Sequence, residues 1–182
     1  SFFFYSEDFA MDTSFDTLIR ERRSIRSFQS DPVDEDTIRR IVEKINLCPT
    51  AGNQQSYHVY VVVNREQIEA LCKSSGQGWI QQAPLVFVFC CEIKDHFYGR
   101  RGLDLYTIQD ATIAETFAIL ACQEEGLKSC WVGSFNESEV SSLLRIPSHL
   151  RPIGMLPCGY SEAAPRHNRS RRDISDTFTW CL

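Results

Sequence analysis

Three guanidinium groups and one hydroxyl fall within five residues at Arg22-Arg23-Ser24-Ile25-Arg26. Arginine presents a planar fork of permanently charged donors that matches a phosphate or carboxylate, and serine adds a short donor beneath it. Ile25 interrupts the polar run, as expected where a chain passes over a core while its neighbours reach outward. Taken alone, such a cluster is more often a solvated helix end or a set of surface ion pairs. Three further stretches carry more polarity than a core needs. The loop Pro49-Thr50-Ala51-Gly52-Asn53-Gln54-Gln55-Ser56 holds small and amide side chains, whose paired donors and acceptors suit the edge of a planar heterocycle or an ordinary turn. In Ser129-Cys130-Trp131-Val132-Gly133-Ser134-Phe135 a strand ends in small residues whose N–H groups a ligand can approach closely. The fourth stretch, Arg166-His167-Asn168-Arg169-Ser170-Arg171-Arg172, reads as a basic tail.

Composition limits what these residues could serve. A chain of 182 residues, 43% hydrophobic and 24% charged, has enough material for one domain with a proper core. A net charge of -5 leaves no basic excess to neutralise a nucleic-acid backbone. Because the arginines are nevertheless clustered, a small anionic ligand is the expected partner. Eight cysteines occur with no C-x-x-C spacing, mostly inside apolar runs such as Val86-Phe87-Val88-Phe89-Cys90-Cys91. They read as buried free thiols of a reducing cytosol rather than as metal ligands or a disulfide scaffold, and Cys130 is read as packed rather than nucleophilic. No metal ligands and no catalytic side chain are assigned. No apolar run approaches the roughly 20 residues of a membrane helix, and Ser1-Phe2-Phe3-Phe4-Tyr5 lacks the basic n-region of a signal peptide. That start implies a removed initiator methionine or residues added in cloning, with Met11 a candidate native start and an aromatic arm packing on a partner the equal alternative.

The elements that must position the polar stretches follow from periodicity. Asp12-Thr13-Ser14 offers caps for a helix ending near Arg22. Asp34 or Asp36 caps a second helix with Ile38, Ile41, Val42 and Ile45 on one face, ending near Asn46. Tyr57 to Val63 is a strand, Arg65 to Ser74 a helix closed by Ser75-Gly76, and Trp79 to Gln82 a short element stopped by Pro84. Leu85 to Cys91 is a strand covered on both faces. Asp104 to Glu125 is the longest helical pattern, ended by Gly126 and apolar nearly all round, so that a domain or a partner chain must bury it. Ser129 to Phe135 is a strand, Glu137 to Leu144 a helix capped by Asn136, and Ile153 to Tyr160 a strand. The order predicts a three-layer α+β domain about a central sheet. Neither a G-x-G-x-x-G nor a G-x-x-x-x-G-K-[ST] motif is present, so no Rossmann or P-loop site is supported.

From about Phe15 to Arg169 the chain resembles the FMN-dependent nitroreductase family. The motifs occur in that family's order: R-R-S-x-R, a P-[ST]-[AS]-x-N loop before a strand, Trp79-Ile80-Gln81-Gln82-Ala83-Pro84-Leu85, a long helix ending E-x-G-L, W-V-G-S-F, and a strand followed by R-x-x-R. The resemblance implies an α-β-α fold with a central, mostly antiparallel sheet, assembled as an intertwined homodimer with FMN at the subunit interface. Arg22, Arg23, Ser24 and Arg26 would hold the FMN phosphate and neighbouring ring edge, with Arg169 and His167 closing from the tail. Pro49, Thr50, Ala51, Asn53 and Gln55 would contact the flavin from the other subunit. Val132, Gly133 and Ser134 match the segment whose backbone N–H points at the flavin N5. The implied organisation is an N-terminal arm at 1–14, an FMN-binding domain at 15–172 and a tail at 173–182 packing on the partner. The implied activity is cytoplasmic, ping-pong transfer of hydride from NAD(P)H through FMN to nitroaromatics, quinones or similar small oxidants. A non-enzymatic FMN carrier, or a dehalogenase or flavin-fragmenting enzyme on the same fold, are the alternatives. The segment between Cys91 and Asp104 is short for a lid, leaving the substrate cleft open or closed by Phe97, Tyr98 and the N-terminal arm.

Overall fold

The computed structural model describes residues 14–165 and 170–181. Local capping fixes most helix starts. The Ser14 hydroxyl accepts from Thr17 N ahead of α1 (Phe15–Glu21). Asp34 caps α2 (Glu35–Asn46) by accepting from Thr37 N at 2.8 Å and Thr37 Oγ1 at 2.7 Å. Those two bonds hold the Asp34 carboxyl below its ordinary range. Asn64 caps α3 (Arg65–Ser75), which closes on Gly76 in the left-handed region at φ 65°. Asn136 caps α6 (Glu137–Leu143) through Ser138 N and Glu139 N.

Four strands, β1 (Tyr57–Val62), β2 (Leu85–Glu92), β3 (Lys128–Ser129) and β4 (Leu150–Gly159), form one antiparallel sheet in the order β1-β2-β4-β3. Alternation along β2 splits the core into two layers. Leu85, Phe87 and Phe89 meet Ile41 and Ile45 of α2 and Ala114, Ala118 and Ala121 of the long helix α5 (Thr107–Glu124). Val86, Val88 and Cys90 meet Ile68 and Leu71 of α3, Ile80, and Val140 of α6. Helices therefore cover both faces of the sheet, and the α-β-α architecture expected from the sequence is the one found.

Three boundaries differ from expectation. Helical structure begins well before Asp104: α4 (Gly99–Arg101) leads through a π-helical turn (Gly102–Tyr106) straight into α5. Two glycines hide this start from propensity; Gly102 is tolerated because the His96 ring occupies the space a side chain would take. The strand expected at Ser129–Phe135 pairs as β3 only at Lys128–Ser129, followed by a single bridge between Val132 and Met155. On α2, Val42 is 39% exposed and does not share the buried face of Ile41 and Ile45. Among the described residues all eight cysteines are free; seven are buried as expected, whereas Cys181 is exposed. No described helix is long and apolar enough to cross a membrane.

Candidate active site

The arginine–serine strip lies along the β3 end of the sheet. Ser24 forms a parallel bridge with Ser129, and Ile25 N donates to Ser129 O at 3.1 Å. Ile25 is buried at 4% exposure, so the side chains on either side of it face outward. Ser24 is exposed, and Arg22, Arg23 and Arg26 are half-buried. Arg23 is folded back on its own chain, donating from Nη1 to Arg20 O and Arg22 O. The Arg26 guanidinium lies 6.0 Å from the Trp79 ring centroid, an arrangement that holds a cation while leaving its edge free. Among the described residues neither Arg22 nor Arg26 has a carboxylate partner. Two of the four polar stretches thus meet here, because the Ser129 bridge sets the strip beside Cys130. Burial raises the Cys130 thiol, while the charge of Arg26, a Ser24 hydrogen bond and the charge of Arg22 oppose the rise. The thiol stays raised, as suits a packed group.

Beyond Cys130 the chain leaves the ladder. Val132 is 2% exposed, and its N–H and C=O both pair with Met155 at 2.9 Å. Its neighbours Gly133 and Ser134 are exposed. The Trp131 ring lies across Gly133, where a Cβ would stand 2.8 Å from Cη2; glycine is required for that close approach. Beneath Trp131 sits Glu115 of α5, 2% exposed, with Oε1 lacking any hydrogen-bond partner among the described residues. Burial pushes the Glu115 carboxyl up to about 8, and the hydrogen bond offered by Trp131 opposes the rise.

The loop after α2 is anchored elsewhere. Ala51 N donates to Asp110 Oδ1 at 2.9 Å, and Gln55 N donates to Thr50 Oγ1 at 3.0 Å. Gly52, Asn53 and Gln55 all have positive φ, at 57°, 55° and 51°. Two non-glycine residues in that region mark stored backbone strain, which concentrates at ligand-handling loops. Pro49, Asn53, Gln54 and Gln55 are exposed, while Thr50 and Ala51 are half-buried. The Tyr98 hydroxyl presses over Gly52, and a cleft of about 410 Å³ opens beside the loop, lined by Gln54, Gln55, His96 and Phe97. Phe97 and Tyr98 stand 77% and 46% exposed above it. The loop is fastened near the start of α5, whereas the arginine strip is fastened to Ser129, beyond that helix's end. Within one chain no hydrogen bond joins the two among the described residues. His167 and Arg169 of the basic tail lie outside the described residues.

The family model of the nitroreductase family matches residues 19–82 and 72–160, so the match runs through the strip, the loop and the Trp131–Ser134 segment alike. The chain belongs to the nitroreductase family. It is 31% identical over 163 residues to a Methanothermobacter thermautotrophicus protein named "Putative NADH dehydrogenase/NAD(P)H nitroreductase", covering 87% of this chain and 81% of that protein. A Bacillus subtilis protein named FMN reductase (NAD(P)H) is 27% identical over 158 residues, covering 78% of this chain and 64% of the relative. Among solved structures, a nitroreductase family protein from Clostridium difficile superposes with a TM-score of 0.79 at 27% identity, over 92% of this chain and 98% of the other.

Two residues of this member of the nitroreductase family escape a reading of the sequence. Asp110 and Glu115 look like ordinary solvated positions of α5, yet they are 1% and 2% exposed. Asp110 Oδ2 and Glu115 Oε1 both lack partners among the described residues. The available signal was the pattern of α5 itself, since a helix apolar nearly all round has little solvated face on which to place a carboxylate.

Proposed function

We propose that this nitroreductase is an FMN-dependent NAD(P)H oxidoreductase that reduces nitroaromatics, quinones or similar small acceptors. The observation that carries the reading is the bridge between Ser24 and Ser129. It sets an arginine strip that has no carboxylate partner among the described residues beside a strand end that exposes Gly133 and Ser134. A phosphate-bearing planar group fits that pairing, with guanidinium forks for a dianion at one end and close-approach backbone for a ring edge at the other. The relatives' names support the same reading, one being an FMN reductase and another carrying NAD(P)H nitroreductase in its name.

In this reading Arg22, Arg23 and Arg26 neutralise the phosphate and Ser24 donates beneath it. Gly133 and Ser134 present backbone N–H groups to the ring edge, steadying charge that develops there. When bound, FMN would supply the hydride chemistry between NAD(P)H and a small oxidant in ping-pong order. Proton transfer by a protein side chain is not required in this reading, and the thiol of Cys130 beside the strip is held raised by burial. Thr50, Asn53 and Gln55 serve the site of a second copy, in a homodimer joined along the half-exposed outer side of α5 at Ile113, Phe117 and Leu120. The exposed apolar groups of the tail, Ile174, Phe178 and Trp180, pack on that partner. The buried free thiols suit a reducing compartment such as the cytoplasm.

The test is the visible absorbance of the purified protein with FMN, before and after anaerobic addition of NADH or NADPH. A flavin band that bleaches with nicotinamide and returns on adding a quinone is expected. A band that stays oxidised favours a carrier. Absence of binding with FMN in excess ends the reading. Arg22→Ala with Arg26→Ala should weaken FMN binding by about 100-fold or more, as loss of two charge-assisted contacts implies.

A further inference from the structure

One buried group takes no part in the reading above. Glu115 projects from α5 among Ala111, Ala114 and Ala118, all fully buried. An ionisable side chain in such surroundings is costly to the fold, and leucine would fill the volume without that cost. What surrounds the carboxyl is specific. On one side it rests on the backbone of Gly154 in β4, occupying the space any side chain there would need. On the other it meets Trp131, which among the described residues is the polar side chain that acts on it. The six-membered ring of that indole lies on Gly133, with Cη2 and Cζ2 at 2.8 Å and 3.0 Å from where a Cβ would stand. The same indole therefore meets both the buried carboxyl and the glycine at the strand end. Val132 holds the chain to β4 through both of its backbone groups. Gly133 and Ser134, one step further on, have left the ladder; the Trp131 ring packs on Gly133, and Gln77 Nε2 donates to Ser134 O at 3.4 Å.

We propose that Glu115 is a positioning residue: by holding the Trp131 indole over Gly133, it sets the direction in which the Gly133–Ser134 backbone faces the cofactor. The assignment rests on the flavin reading for the identity of that cofactor. The experiment uses protein labelled with 5-fluorotryptophan, whose three tryptophans give three fluorine resonances, that of Trp131 being the one lost in Trp131→Phe. Spectra of the cofactor-free protein are compared for Glu115→Gln and Glu115→Leu, together with FMN titrations. Glu115→Gln retains an acceptor for the indole and should keep both the resonance and the affinity. Glu115→Leu should shift the Trp131 resonance and weaken FMN binding about tenfold, as expected when a buried polar pairing is lost. A Trp131 resonance unmoved in Glu115→Leu overturns the proposal, as does a shift with unchanged FMN affinity. Should Glu115→Leu not fold, incorporation of 3-benzothienylalanine at position 131 replaces it as the test, since that isostere keeps a bicyclic ring on Gly133 but removes the indole N–H. The FMN affinity of that protein must then fall by a similar factor, and an unchanged value overturns the proposal. Failure of the flavin reading is seen separately, as no FMN uptake by the unsubstituted protein, and it removes the cofactor that the positioning serves.

Discussion

Keeping Glu115 inside the core ties the stability of the fold to pH. Its carboxyl is raised by burial from an ordinary 4.5 to about 8, so the unfolded chain loses this proton at lower pH than the folded one. The contribution is fully present below about pH 4.5 and falls away as pH rises to about 8, at up to about 1.4 kcal/mol per pH unit. Glu115→Gln has no such proton to lose. It should show a flatter profile of urea-unfolding stability between pH 5 and pH 8 and exceed the parent at the alkaline end; parallel profiles for the two proteins would refute the buried acid. Asp110 acts on the other polar stretch. Replacing it by alanine strands the Ala51 N–H and should cost about 1–3 kcal/mol, with faster hydrogen exchange at that amide, while Asp110→Asn keeps an acceptor and loses less. Unchanged exchange at Ala51 in Asp110→Ala would show that the loop holds itself. Arg22, Arg23, Ser24 and Arg26 were legible in the chain because a cluster of like charges is visible without any fold. The two carboxyls were not, because what distinguishes them is burial, and burial belongs to the packing of α5.

At the scale of elements, the close fit of α5 on β4 is concentrated where Gly154 faces Glu115. A methyl group at 154 must displace a buried carboxyl, so Gly154→Ala should destabilise the fold by about 1–3 kcal/mol. Glu115→Ala vacates the space that methyl needs. The double variant should therefore be more stable than the sum of the two single changes implies, by at least about 0.5 kcal/mol in a urea-denaturation cycle. Strict additivity would mean that the two positions do not share their space. Most elements were legible, for a physical reason: Ser14, Asp34, Asn64 and Asn136 cap helices through their own side chains, and β2 is one apolar run covered on both faces. The departures occur where partners override local preference. Cys130-Trp131-Val132 has strand chemistry, but after Ser129 it keeps only the Cys130 N–H bond to Pro157 O and the Val132 bridge to Met155 among the described residues. Gly99 and Gly102 argue against a helix, yet the His96 ring and the π turn carry the chain into one.

At the scale of the molecule, the site as proposed is divided between two ends of one helix. The loop of Thr50–Gln55 is tied to Asp110 near the start of α5, and the arginine strip to Ser129 just beyond its end. Thr107–Glu124 is 18 residues long, which at 1.5 Å per residue separates its ends by about 27 Å. One flavin does not bridge that gap within a chain, but two chains packed along α5 with opposed directions would bring each loop to the other's arginines. The arrangement predicts complementation. A chain carrying Arg22→Ala and Arg26→Ala and a chain carrying Asn53→Ala and Gln55→Ala should each bind FMN poorly as homodimers. Co-expressed and purified through two different affinity tags, their heterodimer holds one site with both defects and one with neither. It should bind about one FMN per dimer with parental affinity, half the parental stoichiometry, because two-fold symmetry places one interface site on each subunit. If the arginines and the loop of a single chain made the site together, both sites of the heterodimer would be defective and no tight binding would return. Titration of the tag-purified heterodimer with FMN, read by flavin fluorescence quenching, separates the two arrangements in one curve.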